Sequence, residues 1–311
     1  MRRPGHLRMA VLFLTAAACV GAEDDPSTVR DLRVLGVSLN PPELMAPSCE
    51  GGVDAALAVA GSPVAWRALV VDPAGEGRNL DWELLACANA GDRVCAGGDD
   101  AGDRVVIASG SQPAGEWQLP LVPGTLVLQN GQSILLRVFS ADAFGGLGGL
   151  RVPLVLRVRG GDEQVFAQKL MVYSCKAYPE SEQNLLPMLP GVRAAGNQWP
   201  EGVPMPLSGA GPFPMEPEPF DALEESYVVP SLSLAPVFLQ ESWKVAWHTT
   251  LGTVSPSQTG GTDLAGEESR AQVEWLPPAA VEGQTDVTFW LVVRDGRGGL
   301  TWTTRQVRYT P

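Results

Sequence analysis

Apolar and polar positions alternate with a period of two along most of this chain, and no helical period of useful length stands out. Near the end, Val287, Phe289, Leu291 and Val293 alternate with Thr288, Trp290, Val292 and Arg294, which predicts a strand with one apolar face. Asp295-Gly296-Arg297-Gly298-Gly299 follows, a run that tolerates positive φ and predicts a turn. The segment 300–309, rich in Thr, Trp, Val and Tyr, predicts the returning strand. A second hairpin is expected over 134–158, because Asp142, Gly145, Gly146 and Leu147 precede Asp295, Gly298, Gly299 and Leu300 at one constant interval.

Other strands are predicted at 31–37, 64–71, 80–86, 104–108, 116–122 and 165–173, then at 227–234, 243–250 and 270–276, with Gly/Pro punctuation between them. Glu274-Trp275 before Pro277 repeats Glu116-Trp117 before Pro120, and Trp82 finds a counterpart in Trp243 or Trp247. Three markers in one order imply an internal duplication. Recurring strands without helices imply sandwiches of antiparallel sheets, an all-β fold class. Residues 187–219 are dense in proline and glycine, which predicts polyproline II segments and loops forming an interdomain connection.

The 311 residues, 45% hydrophobic and 18% charged, are enough for one or two domains with cores of their own. The formal net charge is −13, and no basic run interleaved with aromatics offsets it. Such a surface repels nucleic acid and anionic lipid heads, so no nucleic-acid partner is expected.

Arg2, Arg3 and Arg8 precede a short apolar run and small residues, the layout of a signal peptide, and the run is too short to span a bilayer. Two processing routes fit. Thr15-Ala16-Ala17-Ala18-Cys19 resembles the lipobox of bacterial lipoproteins, with Ala16 where leucine is usual; Cys19 would then carry the lipid. Val20-Gly21-Ala22 would instead suit an ordinary signal peptidase. The polar segment Glu23 to Thr28 reads as a tether and favours the lipoprotein. Val20 after the cysteine implies, by the same resemblance, sorting to the outer membrane, with membrane association only through the N-terminal lipid. In an oxidising compartment the four remaining cysteines are expected to form two disulfides. Of three connectivities, Cys87–Cys95, which clips a loop, with Cys49–Cys175, which ties the ends of the first repeat, is preferred.

Catalytic signatures are sparse. The histidines are His6, in the leader, and His248, beside Trp247 in a strand, where a structural role is expected. Gly-x-Ser-x-Gly, His-Glu-x-x-His and the phosphate-cradling glycine loop do not occur. The acidic turn Gly97 to Asp103 lacks the carboxylate that closes a calcium loop, and Gly145 to Leu150 has leucine where a calcium repeat needs aspartate. No metal, cofactor or catalytic residue is assigned, and no enzyme activity is expected.

The glycine hairpins, the strand tryptophans and the leader together resemble the predicted lipoproteins of Gram-negative bacteria that carry immunoglobulin-like or PKD-like domains. Arg294 to Gly299 is the most suggestive motif; no cysteine lies in the last hairpin strand, so the inter-sheet disulfide of antibody domains is missing. The organisation expected is a signal peptide (1–18), a flexible tether (19–30), an Ig-like sandwich with disulfides (31–178), a Pro/Gly-rich connection (179–222) and a second Ig-like sandwich (223–311). The function expected is a non-catalytic interaction or structural module of the cell envelope, contacting an envelope protein or glycan through the loops 88–103 and 255–268. An alternative is a carbohydrate-binding or adhesive protein using Trp117, Trp199 and Trp302 as sugar platforms. A hydrolase with an acid pair that meets only in space is the third reading.

Overall fold

The computed structural model describes residues 25–88, 95, 103–146, 148–261 and 271–311. Cys19, Leu147, the acidic turn from Gly97 to Gly102 and much of the loops 88–103 and 255–268 fall outside them.

The chain forms tandem β-sandwiches. The first contains β1 (Arg33–Asn40), β2 (Glu43–Ala46), β3 (Val64–Val71), β4 (Asn79–Cys87), β5 (Arg104–Pro113), β6 (Gly115–Leu121), β7 (Leu150–Gly160) and β8 (Glu163–Cys175). The second contains β9 (Val192–Ala194), β10 (Asn197–Gln198), β11 (Met205–Ser208), β12 (Phe213–Pro217), β13 (Ser226–Pro230), β14 (Pro236–Gln240), β15 (Lys244–Thr249), β16 (Thr253–Ser255), β17 (Gln258–Gly260), β18 (Val273–Leu276), β19 (Thr285–Arg294) and β20 (Leu300–Thr310). In the first, a sheet β2-β8-β7-β4-β5 faces a sheet β1-β3-β6; in the second, β11-β20-β19-β15-β17 faces β10-β9-β12-β18-β16, and β13-β14 stands apart as a two-stranded ribbon. The duplication is visible in these orders. β2 runs parallel to β8 as β11 does to β20, and β1-β3-β6 corresponds to β9-β12-β18. Trp117 on β6 and Trp275 on β18 are both buried at equivalent places.

The expected hairpin over 134–158 is corrected. Residues Ile134–Ala141 form a helix, α2 in chain order after α1 (Val53–Ala60). Ile134, Leu135, Val138 and Phe139 recur at helical spacing and pack on the first core, a short apolar run whose period is ambiguous between helix and strand. The true counterpart of β19–β20 is β7–β8, which turns at Gly161. The two glycine turns share their chemistry, since Asp142 accepts the Gly146 N–H as Asp295 accepts that of Gly299. Their places differ: one joins α2 to β7, the other β19 to β20.

Two further boundaries move. The proline-rich stretch contributes β9 to β12 to the sheets of the second sandwich rather than lying outside it. Pro206 is accommodated because β11 is an edge strand, where a missing N–H costs no ladder bond. The tether ends early as well: Ser27, Thr28 and Val29 are buried against the second sandwich. Val29 N–H donates to the Thr249 carbonyl and Thr249 N–H to that of Ser27, and the Ser27 hydroxyl accepts the Val254 N–H. A polar sequence here means hydroxyls matched to backbone groups rather than solvation.

The sandwiches share an apolar seam, sheet face on sheet face. Trp66, Ala68 and Val70 of β3 point into the first core, whereas Leu69 and Val71 point out of it. Val287, Phe289 and Leu291 of β19 point into the second core, whereas Trp290 and Val292 point out. The outward residues meet, joined by Val29, Leu35, Ala246 and Leu300. A bulge between Val34 and Gly36 adds a residue to β1 and turns Leu35 to the seam side. Gly36 permits the close approach of β20: a Cβ there would lie 2.9 Å from Leu300 Cδ2 and 3.2 Å from the Trp302 ring.

Candidate functional site

The β19–β20 turn organises the junction of both sandwiches. Buried Asp295 accepts N–H groups from Arg297 (2.7 Å), Gly298 (2.9 Å) and Gly299 (2.8 Å), and its second oxygen also accepts the Asn184 side-chain amide at 2.9 Å. Position 299 must be glycine because the Asp295 carboxylate fills the space a Cβ would need. Lys169, buried on β8 of the first sandwich, donates its ammonium to the Gly298 carbonyl. Burial pushes Lys169 down to about 8, against the opposing pull of the Asp295 charge.

With the turn held, Arg297 points into a ring of acids from three separate segments. Its guanidinium lies 3.2 Å from Glu225, 3.3 Å from Glu241 and 3.8 Å from Glu43, donates to the Glu182 carbonyl, and stacks 4.4 Å above the Tyr227 ring. Glu241 is buried and accepts the Trp243 indole N–H at 2.8 Å. The Glu225 carboxyl is raised by burial and by the neighbouring Glu241 charge, against the Leu185 N–H it accepts. These acids are tied down by an arginine and by N–H donors. Such a cluster positions segments; it does not resemble a pair held apart to move protons through a substrate.

Arg297 also lines a cleft of about 780 Å³, a size typical of ligand pockets. One wall is the α2–β7 region, with Phe139 and Phe144; the other is the ribbon, with Val229 and Leu234. Tyr178, also lining the cleft, donates its hydroxyl to the Leu234 carbonyl of the ribbon at 2.7 Å. Ser174 also lines the cleft, and its buried hydroxyl has no protein partner.

Beyond the cleft the ribbon is apolar on both faces. No charged residue occurs between Ser226 and Gln240, all five residues of β14 are exposed, and Leu232 and Phe238 are 90% and 67% exposed. Among the described residues no strand pairs with the outer side of β14.

The residues expected from the sequence are dispersed. Cys49 and Cys175 stand in disulfide geometry with Cα atoms 4.9 Å apart, fixing the end of β2 beside β8 at the cleft rim. Cys87 and Cys95 lie with Cα atoms 5.9 Å apart, within reach of a disulfide. Trp117 and Trp199 are buried, at 5% and 1% exposure, and serve no sugar. Trp302 is half-buried, donating to Glu116 at 2.8 Å with Arg67 over its ring, so these three indoles form no exposed platform. His248 is half-buried on β15 and bonded to the Pro26 backbone; burial, with Arg294 and Arg33 nearby, pushes it down to about 4. Among the described residues no group of His, Cys, Asp or Glu side chains suits a metal ion, and no helix is long and apolar enough to cross a membrane. The Arg297 cluster was missed: its turn was legible, but Glu43, Glu225 and Glu241 reach it from distant positions that no local pattern connects.

No family model and no curated protein matches the chain. Among solved structures it is similar to alpha-2-macroglobulin of Escherichia coli activated by porcine elastase, at 9% identity and a TM-score of 0.26, over 92% of this chain and 22% of that one. It thus spans about a fifth of that protein's length. The periplasmic chaperone SfaE is matched at 13% identity and a TM-score of 0.24, over 88% and 99% of the two chains. A chimeric titin Z1Z2 is matched at 7% identity and a TM-score of 0.18, over 91% and 99%. At these scores the likenesses carry no functional argument.

Proposed function

We propose that this chain is a cell-envelope lipoprotein, anchored through Cys19, that acts without catalysis as an interaction module of two Ig-like sandwiches. The observation that carries the interaction reading is the uncharged ribbon from Ser226 to Gln240, apolar on both faces and open on one edge. Monomeric soluble proteins rarely leave such a surface uncovered unless something binds it. Its placement supports the same reading. Residues 27–29 pair with the Thr249 end of β15, whereas the ribbon departs from the Lys244 end, so an anchor at Cys19 leaves the ribbon directed away from the tethered end. The seam keeps that geometry fixed.

Two measurements test this. Metabolic labelling with an alkyne fatty acid is expected to mark the wild-type protein and to fail with Cys19→Ala; a labelled variant removes the anchor. A photo-crosslinking residue at position 238 is expected to give a discrete adduct in the intact envelope. Absence of any adduct there, with the protein present and folded, overturns the interaction reading.

A further inference from the structure

We infer that the open edge of β14 pairs with β14 of a second copy, joining two ribbons into a four-stranded sheet across a two-fold axis. The inference rests on the interaction reading and names its partner.

The phase of the ribbon's hydrogen bonds decides which backbone groups are free. Glu241 N–H donates to the Glu225 carbonyl and Ser231 N–H to that of Ala235, each at 2.9 Å. The register Tyr227↔Leu239, Val228↔Phe238 and Val229↔Val237 lies between them. Bonded and non-bonded pairs alternate in an antiparallel ladder. Leu239 and Val237 therefore spend their backbone groups inside the ribbon, while Pro236, Phe238 and Gln240 aim theirs outward. Pro236 has no N–H to lose, so its place matches a strand edge.

A two-fold axis through Phe238 uses every outward N–H of β14 and leaves the Gln240 carbonyl, opposite Pro236, to solvent. Phe238 exchanges two hydrogen bonds with its own copy, and each Gln240 N–H donates to the Pro236 carbonyl opposite. The ladder closes with no outward donor of β14 left over. The two Phe238 rings become a cross-strand aromatic pair, the type of contact that stabilises sheets. Charge is consistent with this geometry despite the net −13 of the chain. In that register Glu241 at the ribbon base lies opposite Ala235 of the other copy, so acid meets an uncharged tip rather than acid. An edge without charge is normally guarded by lysine, a bulge or a covering loop; the five-residue β14 has only Pro236.

The test is sedimentation of the mature chain with Cys19→Ser, at increasing concentration, beside Phe238→Asp and Val203→Asp. Val203 is 56% exposed and lies outside the ribbon. The expected result is a monomer–dimer equilibrium whose dissociation constant rises at least about tenfold with Phe238→Asp, as for a central interface residue, and is unchanged by Val203→Asp. Unaltered near-ultraviolet circular dichroism checks that Phe238→Asp folds. In Phe238→Cys, oxidation is expected to yield a disulfide-linked dimer. A wild type that stays monomeric throughout, or a dimer indifferent to Phe238→Asp, overturns the inference. If the monomer nonetheless gives an envelope adduct of another mass from position 238, the interaction reading survives and the second copy does not.

Discussion

His248 makes the acid limit of this fold a local and testable matter. The imidazole is half-buried on β15, bonded to the Pro26 backbone, with an unpartnered Nδ1. In an unfolded chain a histidine takes its proton near about 6.5; here burial, with Arg294 and Arg33 nearby, delays that to about 4. Between those values the unfolded state binds more protons than the folded one, so stability falls as the pH falls through this window and is untouched above it. At about pH 4.5 the separation costs about 2–3 kcal/mol, from the 1.36 kcal/mol that each tenfold difference in proton affinity carries. His248→Gln keeps an N–H donor and removes the titration. Urea midpoints, followed by tryptophan fluorescence at about pH 7.5 and about pH 4.5, should therefore drop further in wild type than in the variant. Glu224 and Glu225, both raised by burial, oppose the trend in both proteins, so only the difference is diagnostic. Equal acid losses would refute the reasoning.

Lys169 predicts an effect of the same sign in base. Its folded value near 8 lies below the unfolded value of about 10.4, so wild-type stability should rise between them as the buried charge is relieved; Lys169→Met should lack that rise in a matched urea series. Trp290→Ala should cost about 3–5 kcal/mol, because the indole is buried in the seam. Calorimetry should then show the two sandwiches separating into distinct transitions, whereas an unsplit transition at unchanged temperature would refute the seam's role.

The strands were legible because their alternation is strong, and β19 with β20 stands almost where the sequence placed it. The seam was less so. Trp290 and Val292 occupy the supposed outer face of β19, and an indole and a valine among Thr288 and Arg294 were the available sign of a second buried side. The α2 error has a different cause: eight residues flanked by glycine turns satisfy both periods, and only packing against β7 chooses between them. β9 to β12 were hidden because proline suppresses strand expectation, although the edge strand β11 tolerates Pro206 and the central β12 carries Pro214 and Pro217 where each pairs on one side alone. The acid ring around Arg297 is the least local feature, assembled from residues that meet only after both sandwiches have formed.

The clasp of residues 27–29 on β15 has a mechanical consequence. Although the first sandwich follows it directly in sequence, tension entering from the amino terminus reaches β15 and β16 first, through the Ser27 carbonyl on Thr249 and the Ser27 and Thr28 hydroxyls on Val254 and Gly252. A tug from that end is borne by the carboxy-terminal body, and the first sandwich hangs outside the line of load.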